Sequence, residues 1–411
     1  MPANGPRPKP SVPAAPAEPK ADFQFIEPMR HVALAVSGGA DSLALMRLAA
    51  TWAGLRTGPL QLSVLTVDHG LRAGSEAEAA QVAQWASTSG LDHHILVWTG
   101  PKPTTGLQAK AREARYGLMA AWCKSNGADA LLTAHSRDDQ AETVLMRLER
   151  TLSPASLAGI PVLGQWAGVP LVRPLHSCGR ADLRTYLKGL GQPWIDDPSN
   201  TDRRFERVRA RQQLADMAPG EMMAERLARL ARACAGADRM LQHCSGTWLR
   251  LWLSEADAGV CFAPLTEMTK LPQALQQRIL ARILTHYGGG RLKPETAELA
   301  RLCHWLANGG PPRRTLAGAV VGRRKTSFWV TREASRIDPV PVTIRDGAPI
   351  LWDGRFLVEA PNGATVGPAG EAAAPLNARV PVHARRAYPL ITLPETIGDT
   401  AKVSFLRLAS P

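Results

Sequence analysis

Between residues 30 and 200, short apolar runs alternate with amphipathic stretches at a spacing that few architectures accept. The runs begin at His31, Leu60, His94 and Ala130, about 30 to 36 residues apart, and helical patterns fill the intervals around 42–53, 75–89 and 107–126. Strand, helix, strand at that interval is the βαβ crossover, which makes consecutive strands parallel and covers both faces of the sheet. Leu60, Leu62 and Val64 are predicted to share one face of their strand. Ligands of such sheets bind past the carboxyl ends of the strands, so the loops after 36, 67, 98 and 134 should converge on one cleft.

Outside that region the texture changes. Residues 1–20 contain seven prolines and almost no large apolar side chains, so 1–22 is expected to be a disordered tail. Residues 221–310 are rich in Ala, Leu and Arg at helical spacing; Gly309-Gly310-Pro311-Pro312 breaks the pattern, and GRRKTSFWVTRE then alternates like a strand. From 340 onward Pro and Gly separate short apolar runs such as ILWDGRFLVEA. The expected layout is an α/β domain at 23–215, a mostly helical domain at 216–335 and a small β-rich domain at 336–411.

Composition excludes several classes. No apolar run reaches the ~18 residues of a membrane helix, and no basic-then-apolar leader opens the chain, so a cytoplasmic protein without a membrane partner is expected. Lys plus Arg is 49 against 36 acids, a net charge of +13. That excess suits a polyanion, nucleic acid before membrane, although a basic surface kept for solubility is the plainer reading. The six cysteines form no C-x-x-C and suit neither zinc nor an iron–sulfur cluster, so reduced thiols are expected. No obligate protein partner is indicated.

The richest stretch is VALAVSGGADSLALMRLAATW at 32–52. A strand runs into Ser37-Gly38-Gly39-Ala40-Asp41-Ser42 and a helix follows, with Leu45, Leu48, Ala49 and Trp52 as its apolar stripe. Glycines allow close backbone approach, and N–H groups at a helix start form an anion site. A carboxylate at Asp41 would repel a phosphate unless a divalent cation such as Mg²⁺ bridges them. The Gly-Lys-Ser/Thr ending of a Walker A loop is missing, which disfavours a β,γ-cleaving ATPase. The competing reading is an ordinary strand–turn–helix corner with Asp41 as its cap.

SGGADS resembles the pyrophosphatase loop of the N-type ATP-pyrophosphatases, a Rossmann-like PP-loop fold that cleaves ATP between its α and β phosphates. Within that group, VDHGLR at 67–72, AREARY at 111–116, TAHSRDDQAETVLMRL at 133–148, RPL at 173–175 and WIDDPSNTDRRFERVRAR at 194–211 resemble tRNA(Ile)-lysidine synthetases. Two departures stand out. Ser136 and Arg137 follow His135 where the family usually has a second histidine, and Arg150-Thr151-Leu152-Ser153 replaces the usual Arg-Gly-Ser-Gly.

Asp138, Asp139 and Glu142 fall on one face of a helix opening near Ser136, opposite Ala141, Val144, Leu145 and Leu148. Three acids together suit an ammonium or a metal ion, or simply a solvated face favouring the helix start. Arg112 and Arg115 could meet phosphate or nucleobase, or form a basic helix face. RRFERVRAR at 203–211 holds five arginines in nine residues, with Arg204, Arg207 and Arg211 on one face if helical. Trp194 is expected in the core.

The resemblance implies ATP and Mg²⁺ as cofactors, with ATP on Ser37, Gly38, Gly39, Ala40, Asp41, Ser42, Asp68 and His69, and the metal on Asp41. It implies lysine recognition by Asp139 and Glu142, and catalytic roles for Asp41, Arg112, Arg115, His135 and Arg207. The implied reaction adenylates the wobble cytidine of tRNA(Ile) bearing a CAU anticodon, releases pyrophosphate, and lets L-lysine displace AMP. A carboxylate or His135 would take the proton of the lysine amine. Two alternatives stay open: another PP-loop enzyme such as a tRNA thiolase, and a catalytically silent RNA-binding protein.

Overall fold

The computed structural model describes residues 18–71, 74–100, 102–103, 105–197, 202–217, 220–290, 292–372, 380–393 and 401–408. Most of the proline-rich segment expected to be a tail, 1–17, lies outside them. Just after it, the Asp22 N–H donates to the Pro174 carbonyl and Phe23 is buried against Trp52. The chain forms two compact units, 1–236 and 237–411.

The first unit alternates as its sequence predicts. Its elements are β1 (His31–Ala35), α1 (Ala40–Leu55), β2 (Gln61–Asp68), α2 (Ser75–Thr88), β3 (Asp92–Val97), α3 (Leu107–Ser125), β4 (Ala130–Leu132) and α4 (Arg137–Leu148). There follow α5 (Pro154–Leu157), β5 (Leu163–Trp166), β6 (Val169–Val172), α6 (Arg180–Gly189), α7 (Glu206–Asp216) and α8 (Gly220–Trp252), the last running on into the second unit. The sheet order is β3-β2-β1-β4-β6-β5, parallel except for the edge strand β5.

Side chains alternate across this sheet. Val32, Leu34, Leu62 and Val64 pack with Leu45, Leu48 and Ala49 of α1 and Leu183 and Leu187 of α6. Ala33, Leu65 and Leu131 point the other way, onto Tyr116, Met119, Ala120 and Cys123 of α3. β2 therefore has more than the one apolar face expected: Ser63 and Leu65 are buried too, because α3 covers the second face. Strand order reverses between β1 and β4, and the loops leaving those two strands flank the crevice.

The second unit carries more strand than the helical texture of 221–310 suggests. β7 (Ser254–Ala256) and β8 (Val260–Pro264) precede α9 (Leu265–Thr269), α10 (Gln273–Tyr287) and α11 (Thr296–Asn308). They join β9 (Arg313–Leu316), β10 (Ala319–Arg323) and β11 (Ser327–Arg332) in an antiparallel sheet ordered β7-β8-β11-β10-β9. Two three-stranded sheets follow. One contains β12 (Val342–Thr343), β15 (Thr365–Pro368) and β16 (Pro389–Thr392); the other contains β13 (Ile350–Trp352), β14 (Phe356–Glu359) and β17 (Lys402–Phe405). A short α12 (Val382–Arg386) lies between β15 and β16 in sequence. One buried cluster runs from Trp248 through Tyr287, Trp305 and Val330 to Phe356 and Phe405, so the helical and β-rich segments of this unit share a core.

Candidate active site

Gly38 leaves β1 with φ +84°, where a Cβ would stand 2.7 Å from Ile195 Cδ1. Its carbonyl accepts the Ile195 N–H at 2.9 Å, which brings the 194–197 segment over the loop. Gly39 is the N-cap of α1 and provides no side-chain cap, so Asp41 lies inside the first turn and the capping alternative falls away. The Ser42 hydroxyl donates to the Gly39 carbonyl at 2.8 Å and accepts the Ser37 N–H at 3.2 Å, tying the loop into a tight bend. First-turn N–H groups have no intrahelical partner and carry the positive end of the helix dipole, so this bend is able to hold an anion.

Asp41 is the exception inside that cradle. Its Oδ2 meets Arg180 Nε at 3.3 Å, while Oδ1 is buried without a hydrogen-bond partner among the described residues. Burial raises its carboxyl to about 6, against the attraction of Arg180.

Ser136 caps α4, and Asp139, three positions on, completes a capping box: Asp139 Oδ2 accepts the Ser136 N–H at 2.7 Å. Its other oxygen, Oδ1, accepts from Arg180 Nη2 at 2.9 Å and Arg207 Nη2 at 2.8 Å. Glu142, 1% exposed, accepts from Arg180 Nη1 at 3.0 Å, Arg207 Nε at 2.7 Å and Arg211 Nε at 2.8 Å. Asp138 Oδ2 takes the Arg180 backbone N–H at 2.7 Å, at the start of α6. All three acids of the predicted face therefore meet Arg180. Burial opposes ionisation of Asp139, but Arg207, Arg180 and the Ser136 amide outweigh it and hold the carboxyl below its ordinary range. Burial also works against charge on Arg180, and the carboxylates of Asp139, Glu142, Asp41 and Asp138 more than reverse it.

His135 follows β4 and lines the same cleft. Its Nδ1 lies 3.0 Å from the Thr133 hydroxyl and 3.3 Å from Arg173 Nε. Burial pushes the imidazole well below its ordinary pKa, with Arg173, Arg112 and Arg207 adding to the effect against Asp139. His69 is half-buried, edge-on to Trp98 with ring centroids 5.9 Å apart, and burial again lowers its pKa. Arg115 lines the cleft with Tyr116, over whose ring its guanidinium lies at 5.4 Å. The cleft has a volume of about 1020 Å³, at the upper end of ordinary ligand sites.

The PP-loop domain family matches residues 17–218. The tRNA(Ile)-lysidine synthase of Ruegeria pomeroyi is 38% identical over 335 residues, spanning 82% of this chain and 78% of that protein. The chain belongs to the tRNA(Ile)-lysidine synthase family. The enzyme of that name from Methylobacterium nodulans is 43% identical over 74% of this chain and 91% of its own. That from Rhodopseudomonas palustris is 41% identical over 71% and 87% respectively. A U34-tRNA thiolase from Methanococcus maripaludis covers 49% of this chain and 72% of its own at 17% identity and a TM-score of 0.42.

Of the residues implied by resemblance to this family, Ser37, Gly39, Ala40, Asp41, Ser42, His69, Arg115, His135, Asp139 and Arg207 line one cleft, with Gly38 and Glu142 directly behind them. Two do not line it. Asp68 turns back to accept the Gly70 N–H at 2.9 Å, and hydrogen bonds from Ser75 and Gly70 lower its pKa. Arg112 is exposed and lies 4.9 Å from the Tyr116 ring centroid. Arg204 also departs from the helical face expected of it. α7 begins only at Glu206, and Arg204 pairs with Asp202 in the preceding turn. Trp194 packs on the core as expected.

Arg180 and Arg173 were not singled out from sequence, although Arg180 lines the cleft and Arg173 supports His135 from behind it. Arg180 had one available signal: a cation in the first turn of a helix opposes the helix dipole, so it needs an external reason to be there. Arg173 lies in the RPL segment but carries no periodic or cluster signature.

Proposed function

We propose that this chain joins L-lysine to the wobble cytidine of tRNA(Ile) bearing a CAU anticodon, in the cytoplasm, with ATP as the activating cosubstrate. One observation carries the reading: the Arg180 guanidinium touches Asp41 of the phosphate cradle and also Asp139 and Glu142. An anion cradle and a buried acidic pair thus lie within one side chain's reach, as expected where a nucleotide phosphate and a substrate ammonium must meet.

In the first step the cytidine carbonyl oxygen at ring position 2 attacks the α phosphate and pyrophosphate leaves. The amides of the 37–42 loop hold the phosphates, and Arg115 and Arg207 add positive charge at the cleft wall. Among the described residues no group of three or more His, Cys, Asp or Glu side chains is arranged to hold a metal. The Asp41 Oδ1, buried and without a hydrogen-bond partner among the described residues, would nevertheless suit holding a magnesium ion beside the phosphates. Such an ion supplies charge neutralisation for the departing pyrophosphate.

In the second step the lysine side-chain amine attacks ring carbon 2 and AMP leaves with the former carbonyl oxygen. Asp139 and Glu142 receive the incoming ammonium, and an arginine must yield its place to do so. Arg207 and Arg211 are the ones able to yield, at 39% and 36% exposed, whereas Arg180 is 16% exposed. The target base must leave the anticodon stack to reach the cleft, and the +13 charge suits the phosphates that accompany it.

Thiolation is the chemical rival. Cys123, Cys178, Cys261 and Cys303 are buried, and burial raises their thiols rather than producing the thiolate that sulfur transfer requires. Incubation of the full chain with tRNA(Ile), ATP, Mg²⁺ and isotopically labelled lysine, followed by nuclease digestion and mass spectrometry, tests the assignment. A cytidine carrying one labelled lysine less one water is expected. Unmodified or sulfur-containing nucleoside would refute it.

A further inference from the structure

We infer that Arg173 is a positioning residue that fixes His135 as the neutral Nε2–H tautomer, so that His135 acts as a hydrogen-bond donor into the cleft and not as a base. The inference rests on the reading of this cleft given above and deepens it.

The argument is one of donor and acceptor inventory. A guanidinium has five N–H donors and no acceptor. Arg173 Nε points its hydrogen at His135 Nδ1 over 3.3 Å, so that nitrogen must present its lone pair and cannot carry a proton. The Thr133 hydroxyl, 3.0 Å from the same nitrogen, is free to rotate and donate as well. The proton of the neutral ring then resides on Nε2. That atom has no partner among the described residues and is not sealed off, while the ring lines the cleft.

Arg173 is held firmly enough to impose this choice. It follows β6, is 6% exposed, donates from Nη1 to the Pro161 carbonyl at 2.7 Å, and has its backbone N–H on the Val162 carbonyl. Gly164 makes room for it: a Cβ there would stand 3.1 Å from Nη1. The charged groups facing the ring are Arg173, Arg112 and Arg207 on the cationic side and Asp139 on the anionic side. Burial and the cations together keep the imidazole uncharged, in agreement with the tautomer argument.

A neutral Nε2–H group has no lone pair to offer the cleft, because its Nδ1 lone pair is engaged. His135 therefore cannot receive the proton that the lysine amine loses, and another acceptor takes it. What Nε2–H can do is donate to oxygen as negative charge grows on the reacting phosphate or on the departing AMP.

The test has two arms. In full-length protein labelled with ¹⁵N-histidine, the His135 signals are identified by their loss in His135→Gln. The expected pattern is an unprotonated Nδ1 and a protonated Nε2 from pH 6 to 8, without a titration step. An Nδ1–H tautomer or a protonated ring would overturn the inference, whatever reaction the enzyme performs. In Arg173→Gln the ring should populate both tautomers and titrate nearer to the usual histidine range.

The second arm is single-turnover pyrophosphate release. His135→Ala should lose on the order of 100-fold or more in rate, the usual cost of a transition-state donor. His135→Gln, whose amide N–H can stand where Nε2–H stood, should recover at least tenfold of that loss. Equal loss in both variants would overturn the donor role. The NMR arm needs only wild-type protein and His135→Gln, so it still decides if Arg173→Gln fails to fold. Wild-type protein that makes no product while showing the expected tautomer would refute the proposed reaction and leave the tautomer assignment standing.

Discussion

Replacing Arg180 with methionine should strip the guanidinium from the centre of the acidic array while keeping most of its volume. Three charge-assisted contacts disappear, to Asp41 at 3.3 Å, Glu142 at 3.0 Å and Asp139 at 2.9 Å. Glu142 retains Arg207 and Arg211, and Asp139 retains Arg207 and the Ser136 N–H. Asp41 retains no hydrogen-bond partner among the described residues. Removing one partner of a buried pair costs about 3–5 kcal/mol, and the surviving contacts place this case near ~3 kcal/mol. For a unit of this size that is a fall in Tm of roughly 6–12 °C. Because the Asp41 carboxyl already stands at about 6, it can take up a proton instead of remaining stranded, so the loss should shrink as pH is lowered toward 5. Scanning calorimetry of the full chain at pH 5 and pH 8 measures both effects. The double variant Asp41→Asn/Arg180→Met should be more stable than the sum of the single losses by about 0.5–3 kcal/mol. A single-variant loss under ~1 kcal/mol, or strict additivity in the cycle, would refute the assignment of Arg180 as the shared counter-ion.

Two further outcomes follow from the phosphate loop. The Asp41 carboxyl is raised from 3.8 to about 6 by burial, so the stability it contributes is fully present below pH ~4 and is lost as pH rises through about 6. Urea titrations should show that Asp41→Asn lacks this component of the pH slope, and the same variant should abolish tRNA-dependent pyrophosphate release; a wild-type slope or wild-type release would remove Asp41 from the role given to it. Gly38→Ala places a Cβ on a backbone at φ +84°. It should cost about 1–3 kcal/mol in unfolding and sharply weaken ATP binding by calorimetry, and an unchanged affinity would show that the loop does not need that conformation.

The parallel sheet was legible because each of its strands up to β4 announces itself twice, by an apolar run and by the amphipathic helix that follows. The hairpins were not. β5 and β6 are joined through Ala167 and Gly168, and β9 and β10 through Ala317 and Gly318, with φ positive at all four residues. Such a turn normally shows itself as Asn-Gly or Asp-Gly, and an alanine in the first position hides it. β7 and β8 were obscured differently, since five residues of Val260–Pro264 between long helical patterns carry too little periodicity to stand out. In the site, the acidic face of α4 was readable from spacing alone, and the sequence resemblance supplied its role. Arg207 and Arg211 were also visible on spacing. Arg180 and Arg173 were not, because each works through residues 30 or more positions away, and the one local cue, a cation opening α6 at Arg180, does not name its partners.

Asp139 uses its two oxygens for different ends. Oδ2 closes the first turn of α4 by accepting the Ser136 N–H, and Oδ1 receives the guanidinium groups of Arg180 and Arg207. A protein that drifts by mutation can often lose an activity while its architecture survives, because separate atoms answer for each. Here a single side chain answers for the helix start and for the arginine pairing. A variant that gives up both oxygens weakens the start of its own helix in the same stroke as it releases the two arginines. Selection that acts only on folding would, at this one residue, also preserve a hydrogen-bond acceptor beside Arg180 and Arg207.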